Sequence, residues 1–289
     1  MKSPVAMRIL IAVIACAGFV FVFLQSNTAD IRISRTGKEI LGLWQDCMVS
    51  KMAIHRDKAN DTWDNINHIS DSCSGILRES FDIEVFNNKD EAKYHIMPDP
   101  SVTQTTHLTI GVGNDIDAET ALKEKLENKV EMFGADPITD INEDLFSSIG
   151  SYFPFAVGAK AGVSQASVLV NKQYVTKTVV HIDMLYFLQH VVRRKFFDGL
   201  WLDAEGAEYE LLPYFYKGAL LEQNDITICQ INMEIHYPDD AKKKQAHDFY
   251  YRIIDDGRYA IYQALNVSHH RVYLINLENS ACLARYKRI

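Results

Sequence analysis

The sequence predicts a doubly wound α/β domain, on three observations. Between residues 107 and 137 the chain reads as strand, glycine turn, helix, strand and carboxylate, the opening of a nucleotide-binding α/β unit. From 108 to 277 apolar runs alternate with helical patterns, implying a largely parallel sheet with an antiparallel end. Near residue 203 an apolar run ends in two carboxylates, at the strand end where open α/β sheets bind ligands.

The chain has 289 residues, 47% of them hydrophobic and 24% charged, ordinary globular material. A net charge of −8 argues against a nucleic-acid binder, which carries a basic face. Five cysteines are too few for a disulfide scaffold.

Lys2 and Arg8 precede Ile9–Leu24, sixteen residues without a charge. Such a helix is about 24 Å long, slightly short of a hydrocarbon core of about 30 Å. Residues 1–29 are expected to be an uncleaved signal anchor or a cleaved signal peptide. Either sends the rest into the secretory pathway, as a single-pass membrane protein of the endoplasmic reticulum or Golgi lumen, or as a secreted one. The acceptor triplets at Asn60 and Asn266 fit a luminal, glycosylated body. Residues 30–100 read as a helical stem, in which Ile40, Leu41, Trp44, Cys47, Met48 and Met52 lie at helical spacing. Cys47 and Cys73 can pair in an oxidising lumen, with free thiols the alternative. Pro98-Asp99-Pro100 marks the linker into a catalytic domain over 101–289.

That domain opens with the strand Leu108–Ile110, the turn Gly111-Val112-Gly113, a helix over 118–127 and a strand over 129–133. Glycine lets the backbone turn sharply and approach a ligand. Asp136, 23 residues after Gly113, is placed to accept hydrogen bonds from ribose hydroxyls. The third glycine of a dinucleotide fingerprint is replaced by Ile116, and Asn114, Asp115 and Asp117 crowd the turn. Those acids would repel a pyrophosphate, and no Walker lysine is present. A ribose-containing ligand without phosphate fits better, and S-adenosylmethionine, with its positive sulfonium, is the common one.

A helix over 140–149, a buried strand over 152–159 and strands at 168–170 and 178–180 follow, then a helix over 183–194. The next strand ends in Asp203-Ala204-Glu205-Gly206-Ala207-Glu208. Asp203 and Glu205 are the candidate catalytic acids. An extended backbone would point both to the same side, and their mutual repulsion would raise one pKa. Glu208 reads as a helix cap or a solvent-facing acid. A strand over 226–235 ends at Glu234 and His236, a helix covers 241–256, and strands at 258–263 and 270–277 finish the sheet. His269-His270 reads as a surface pair. No metal-ligand spacing is visible, so no metal is expected.

These residues resemble the FkbM-type methyltransferases, in particular a divergent membrane-anchored set found in nematodes. The likeness covers about 81–262 and rests on Ile110-Gly111-Val112-Gly113 with Asp115 and Glu119, Phe133-Gly134-Ala135-Asp136-Pro137, the Thr178–Asp183 segment and, above all, Asp203–Glu208. It implies a class I methyltransferase, Rossmann-like, mostly parallel seven-stranded sheet with helices on both faces. It implies S-adenosyl-L-methionine as cofactor, with Gly111 and Gly113 at its amino-acid end and Asp136 at the ribose. The implied reaction is O-methylation of a hydroxyl on a small-molecule, lipid or glycan acceptor, with Asp203 or Glu205 as base and His181 or His236 behind. One departure is Gly-Ala-Asp-Pro where many members carry Phe-Glu-Pro. Two other readings stand beside it. One is a Golgi glycosyltransferase using Asp115-Ile116-Asp117 as a metal motif. The other is a methyltransferase fold that binds without catalysing.

Overall fold

In the computed structural model, residues 35–170, 173–236 and 238–289 are described. The expected anchor at 9–24 lies outside them. Among the described residues no helix is long and apolar enough to cross a membrane.

Helix α1 (Gly37–Met52) starts at a capping box in which Thr36 and Glu39 satisfy each other's backbone N–H groups. Ile40, Trp44 and Met48, four residues apart, are fully buried on one stripe of the helix. The Trp44 indole donates to the carbonyl of Ile261, 3.1 Å away. Helix α2 (Ala59–Cys73) buries Trp63, Ile66 and Ile69, and a disulfide between Cys47 and Cys73 ties it to α1. The expected helical stem also holds a hairpin, β1 (Ile83–Asn87) with β2 (Ala92–Ile96). Thr36–Ile289 form one compact unit.

Strands β3 (Thr105–Ile110), β4 (Val130–Ala135), β5 (Ser151–Phe153), β10 (Gly199–Leu202), β12 (Gln230–Ile235), β13 (Tyr259–Asn266) and β14 (His270–Asn276) make a seven-stranded sheet. Its order is β13-β14-β12-β10-β3-β4-β5. The pairings from β5 across to β12 are parallel, and β14 runs antiparallel to both neighbours. The expectation of a mostly parallel sheet is corrected: the architecture is mixed, and more paired residues are antiparallel than parallel. The reason is local, because short connections join antiparallel strands whereas parallel ones need a crossover. Three residues link β13 to β14.

Side chains alternate across the sheet. Leu108, Ile110, Leu200 and Leu202 face one core, and Trp201, Val130 and Met132 face a second. The second core packs against α3 (Asp117–Lys125) and α4 (Thr139–Ser147) through Leu122 and Phe146.

Two further expectations change. The strand expected over 152–159 breaks at Pro154, which has no N–H to give a ladder; its second half, β6 (Ala156–Gly158), joins another sheet. There it pairs with β8 (Gln173–Asp183), which also pairs with β7 (Gly162–Val170). The strand expected over 226–235 splits at Cys229 into β11 (Thr227–Ile228), paired with β9 (Phe196–Phe197), and β12. Cys229 forms a buried disulfide with Cys282. Beyond it, the segment 285–288 laces onto the N-terminal hairpin region. Lys287 N–H donates to Met97, Asp82 N–H donates to Lys287, and Phe81 bridges Arg288.

Candidate active site

The order of the central sheet reverses at β3 and β10. The chain moves outward through β4 and β5, then returns to β10 and moves the other way through β12. A crevice opens outside the carboxyl ends at such a point, and these four parallel strands end at Ile110, Ala135, Leu202 and Ile235.

Beyond β3, Gly111 has φ +85°, and a Cβ there would stand 1.8 Å from the carbonyl oxygen of Asp203. Only glycine fits. Gly113 also has positive φ, but with open space above it. Asp136, just beyond β4, holds this turn. Its Oδ2 accepts from the N–H groups of Val112 (3.0 Å) and Gly113 (3.4 Å), and its Oδ1 from Ile138 (2.8 Å). Burial raises its pKa and those backbone donors work against the rise. The acid expected at a ribose is thus also the fastener of the glycine turn, with the Asn142 side chain as a further partner. Asp115 caps locally, accepting from the N–H groups of Lys89 and Asp117, which is not a metal-motif role.

Beyond β10 the backbone is not extended as expected. Glu205 has φ +50° and Gly206 φ +103°, so the chain curls rather than alternating. The two acids still converge, on His236: its Nε2 lies 3.8 Å from Asp203 Oδ1 and 4.0 Å from Glu205 Oε2. Glu208, expected at the surface or capping a helix, is fully buried. It accepts from Ala204 N–H (3.0 Å) and Gly206 N–H (2.7 Å), and lies 2.9 Å from His236 Nδ1. This one carboxylate shapes the loop and orients the imidazole.

Burial alone would lower the pKa of His236, but hydrogen bonds to Glu208 and Glu234, with the charge of Asp203, push it up to about 11. Burial, with the charge of Glu234, raises Asp203 well above the carboxylate range. A carboxyl group so shifted can take up a proton near neutral pH.

On the far wall the Lys93 ammonium pairs with Glu91 and lies 5.4 Å over the Trp201 ring. Glu119, which accepts from Thr109 Oγ1, is pushed up to about 7 by burial.

One cavity of about 920 Å³ is lined by Lys93, Glu119, Glu234 and His236 together with each of the five expected residues, Gly111, Gly113, Asp136, Asp203 and Glu205. His181 lines it too, 3.1 Å from Ser164. Nine acids face it against four lysines and arginines, a balance that suits a cationic ligand. The family model of the methyltransferase FkbM domain matches residues 59–263. The chain belongs to the FkbM methyltransferase family. No curated protein and no solved structure matches it. FkbM methyltransferases generally use S-adenosylmethionine, and the match begins earlier than the resemblance seen in the sequence, taking in α2.

Sequence reasoning missed Glu208, Lys93, Glu91, Arg271 and His269 as site residues of this FkbM domain. The histidine pair is corrected. His270 is fully buried, stacked on Trp63 at 3.5 Å, and His269 lines the cavity. Two sets bring ligand atoms within 4.8 Å of one another: Glu234, His236 and His269, and Asp203, Glu208 and His236. Their separation in sequence hid both.

Proposed function

We propose that this methyltransferase transfers the methyl group of S-adenosylmethionine to a hydroxyl oxygen of a small-molecule, lipid or glycan acceptor in the secretory pathway. One observation carries the reading. The glycine turn, its fastening acid and a protonatable carboxylate open on the same acid-rich cavity, outside the strand ends where the sheet order reverses.

The residues fit the cofactor. Gly111 and Gly113 leave the backbone bare where its amino-acid end would lie, and Asp136 stands at the strand end where a ribose would lie. The surrounding acids favour a sulfonium. When bound, that group supplies an electrophilic methyl. The protein's part is to orient the acceptor oxygen and to take its proton. Asp203 serves as base, Glu205 faces the same space, and His236, held by Glu208, places a positive charge beside both.

Two disulfides, Cys47–Cys73 and Cys229–Cys282, support folding in an oxidising compartment. Asn60 is exposed on α2, which suits a glycosylated luminal body.

Calorimetry of the purified chain with S-adenosylmethionine and its demethylated product tests the reading, with micromolar binding of both expected. Asp203→Asn and Glu205→Gln should keep that affinity, and in an acceptor screen at least one should lose about 10²-fold in turnover. No cofactor binding by folded protein would refute the proposal.

A further inference from the structure

The antiparallel course of β14 has a chemical result. Because β14 runs against β12, its first residue, His270, pairs with Ile235 at the end of β12. His269, one residue before β14, therefore arrives at the edge where the parallel strands deliver Asp203, Glu234 and His236. Glu234 Oε2 lies 3.2 Å from His236 Nε2 and 2.7 Å from His269 Nε2, and the imidazole rings stack at 4.6 Å. Three ligands about 2.1 Å from a tetrahedral ion stand about 3.4 Å apart, so this spacing needs only small adjustments to close on one.

Two further observations point to a ligand. Asp203 Oδ1 is buried against this cluster, yet makes no hydrogen bond among the described residues. And His236 Nδ1 faces the buried Glu208, which turns Nε2 toward the acids. A carboxylate behind a histidine is the arrangement that fixes a metal-binding imidazole.

We propose that Glu234, His236 and His269, with Asp203 alongside, bind one divalent transition-metal ion at the mouth of the cavity. Glu208 stays behind His236, because its oxygens already serve two backbone N–H groups and that ring; this decides against the Asp203, Glu208 and His236 set. Arg271 holds Glu234 by the other oxygen, Oε1, at 3.0 Å, leaving Oε2 for the ion. Two imidazoles and a carboxylate suit manganese, iron, cobalt or zinc rather than magnesium or calcium. Binding exchanges the Nε2 proton of His236 for the ion. The field of Asp203, Glu205 and Glu234 that attracts one positive charge attracts two more strongly.

The binding itself does not rest on the proposed reaction. The ion's use does: facing the acceptor space, it would lower the pKa of a coordinated hydroxyl.

The test is a titration of the full chain, stripped with a chelator, with Mn²⁺ alone followed by electron paramagnetic resonance of the free ion, and with Zn²⁺ alone by calorimetry. One equivalent of at least one ion should bind. His269→Ala and Glu234→Gln should each weaken it tenfold or more, while His68→Ala, an exposed histidine on α2, leaves it unchanged. Melting curves establish that the variants are folded, and His269→Gln replaces a His269→Ala that is not. Absence of stoichiometric uptake, or uptake that survives in the folded variants, overturns the proposal. Cofactor calorimetry on the same samples separates that result from failure of the methyltransfer reading.

Discussion

Replacing Asp136 by alanine removes the acceptor of three backbone N–H groups, and the structure sets the size of the effect. The bond to Gly113 is long at 3.4 Å and adds little. Those to Val112 at 3.0 Å and Ile138 at 2.8 Å are of good length, each worth about 1.5–3 kcal/mol with a charged acceptor. Against them stands the cost of burying the carboxylate, which the raised pKa of Asp136 registers. A net loss of about 2–4 kcal/mol of stability follows, at the scale of leaving a buried donor unpaired. With its fastener gone, the glycine turn should also lose roughly 1.5–3 kcal/mol of S-adenosylmethionine affinity. Urea unfolding gives the first number and calorimetry the second. Asp136→Asn, which keeps one acceptor oxygen, should fall between. An Asp136→Ala protein within about 0.5 kcal/mol of the parent in stability would show that the turn is held by something else.

The remaining predictions are these. Gly111→Ala should cost about 3 kcal/mol or more, because its Cβ meets the Asp203 backbone, whereas Gly113→Ala, in open space, should cost only about 1–2 kcal/mol for its left-handed backbone; urea midpoints compare the two, and equal losses would contradict the geometry. Glu119 is buried with its pKa raised from 4.5 to about 7. The folded state therefore holds a proton that the unfolded state releases, and stability falls as pH rises from about 4.5 to about 7. Glu119→Gln should flatten that slope and gain up to about 3 kcal/mol at pH 8, with no gain at pH 4, as read from unfolding curves at both. Loops of 26 and 53 residues imply about 3.5 and about 4 kcal/mol from the two disulfides. Cys229→Ser should therefore lower the melting temperature at least as much as Cys73→Ser.

What could be read in the sequence was local. The stretch 107–137 carries strand, turn, helix and acid in contiguous residues, so Gly111, Gly113 and Asp136 could be named in advance. Asp203 followed from an apolar run ending at Leu202. What could not be read depends on approach through space. Glu208 resembles any acid near a helix start until its burial under His236 is known. His269 reads as surface because nothing in the order of residues says that β14 begins where β12 ends. The polar, β-branched run over 162–183 shows its strands but not that they leave the main sheet, which Pro154 brings about by ending β5.

The lacing of segment 285–288 onto the hairpin region bears on how the chain acquires its fold. Lys287 and Asp82 pair across 205 positions, and Trp44 reaches its carbonyl partner across 217. Contacts of such long range form late, since the ordering of the intervening loop comes before any gain from closing it. During synthesis α1 and α2 are made early, whereas β13 and the helix Asp240–Asp256, against which both pack, come near the end. The apolar stripe of Ile40, Trp44 and Met48 therefore stands open through most of translation, which makes these helices the part of the chain most dependent on chaperone cover.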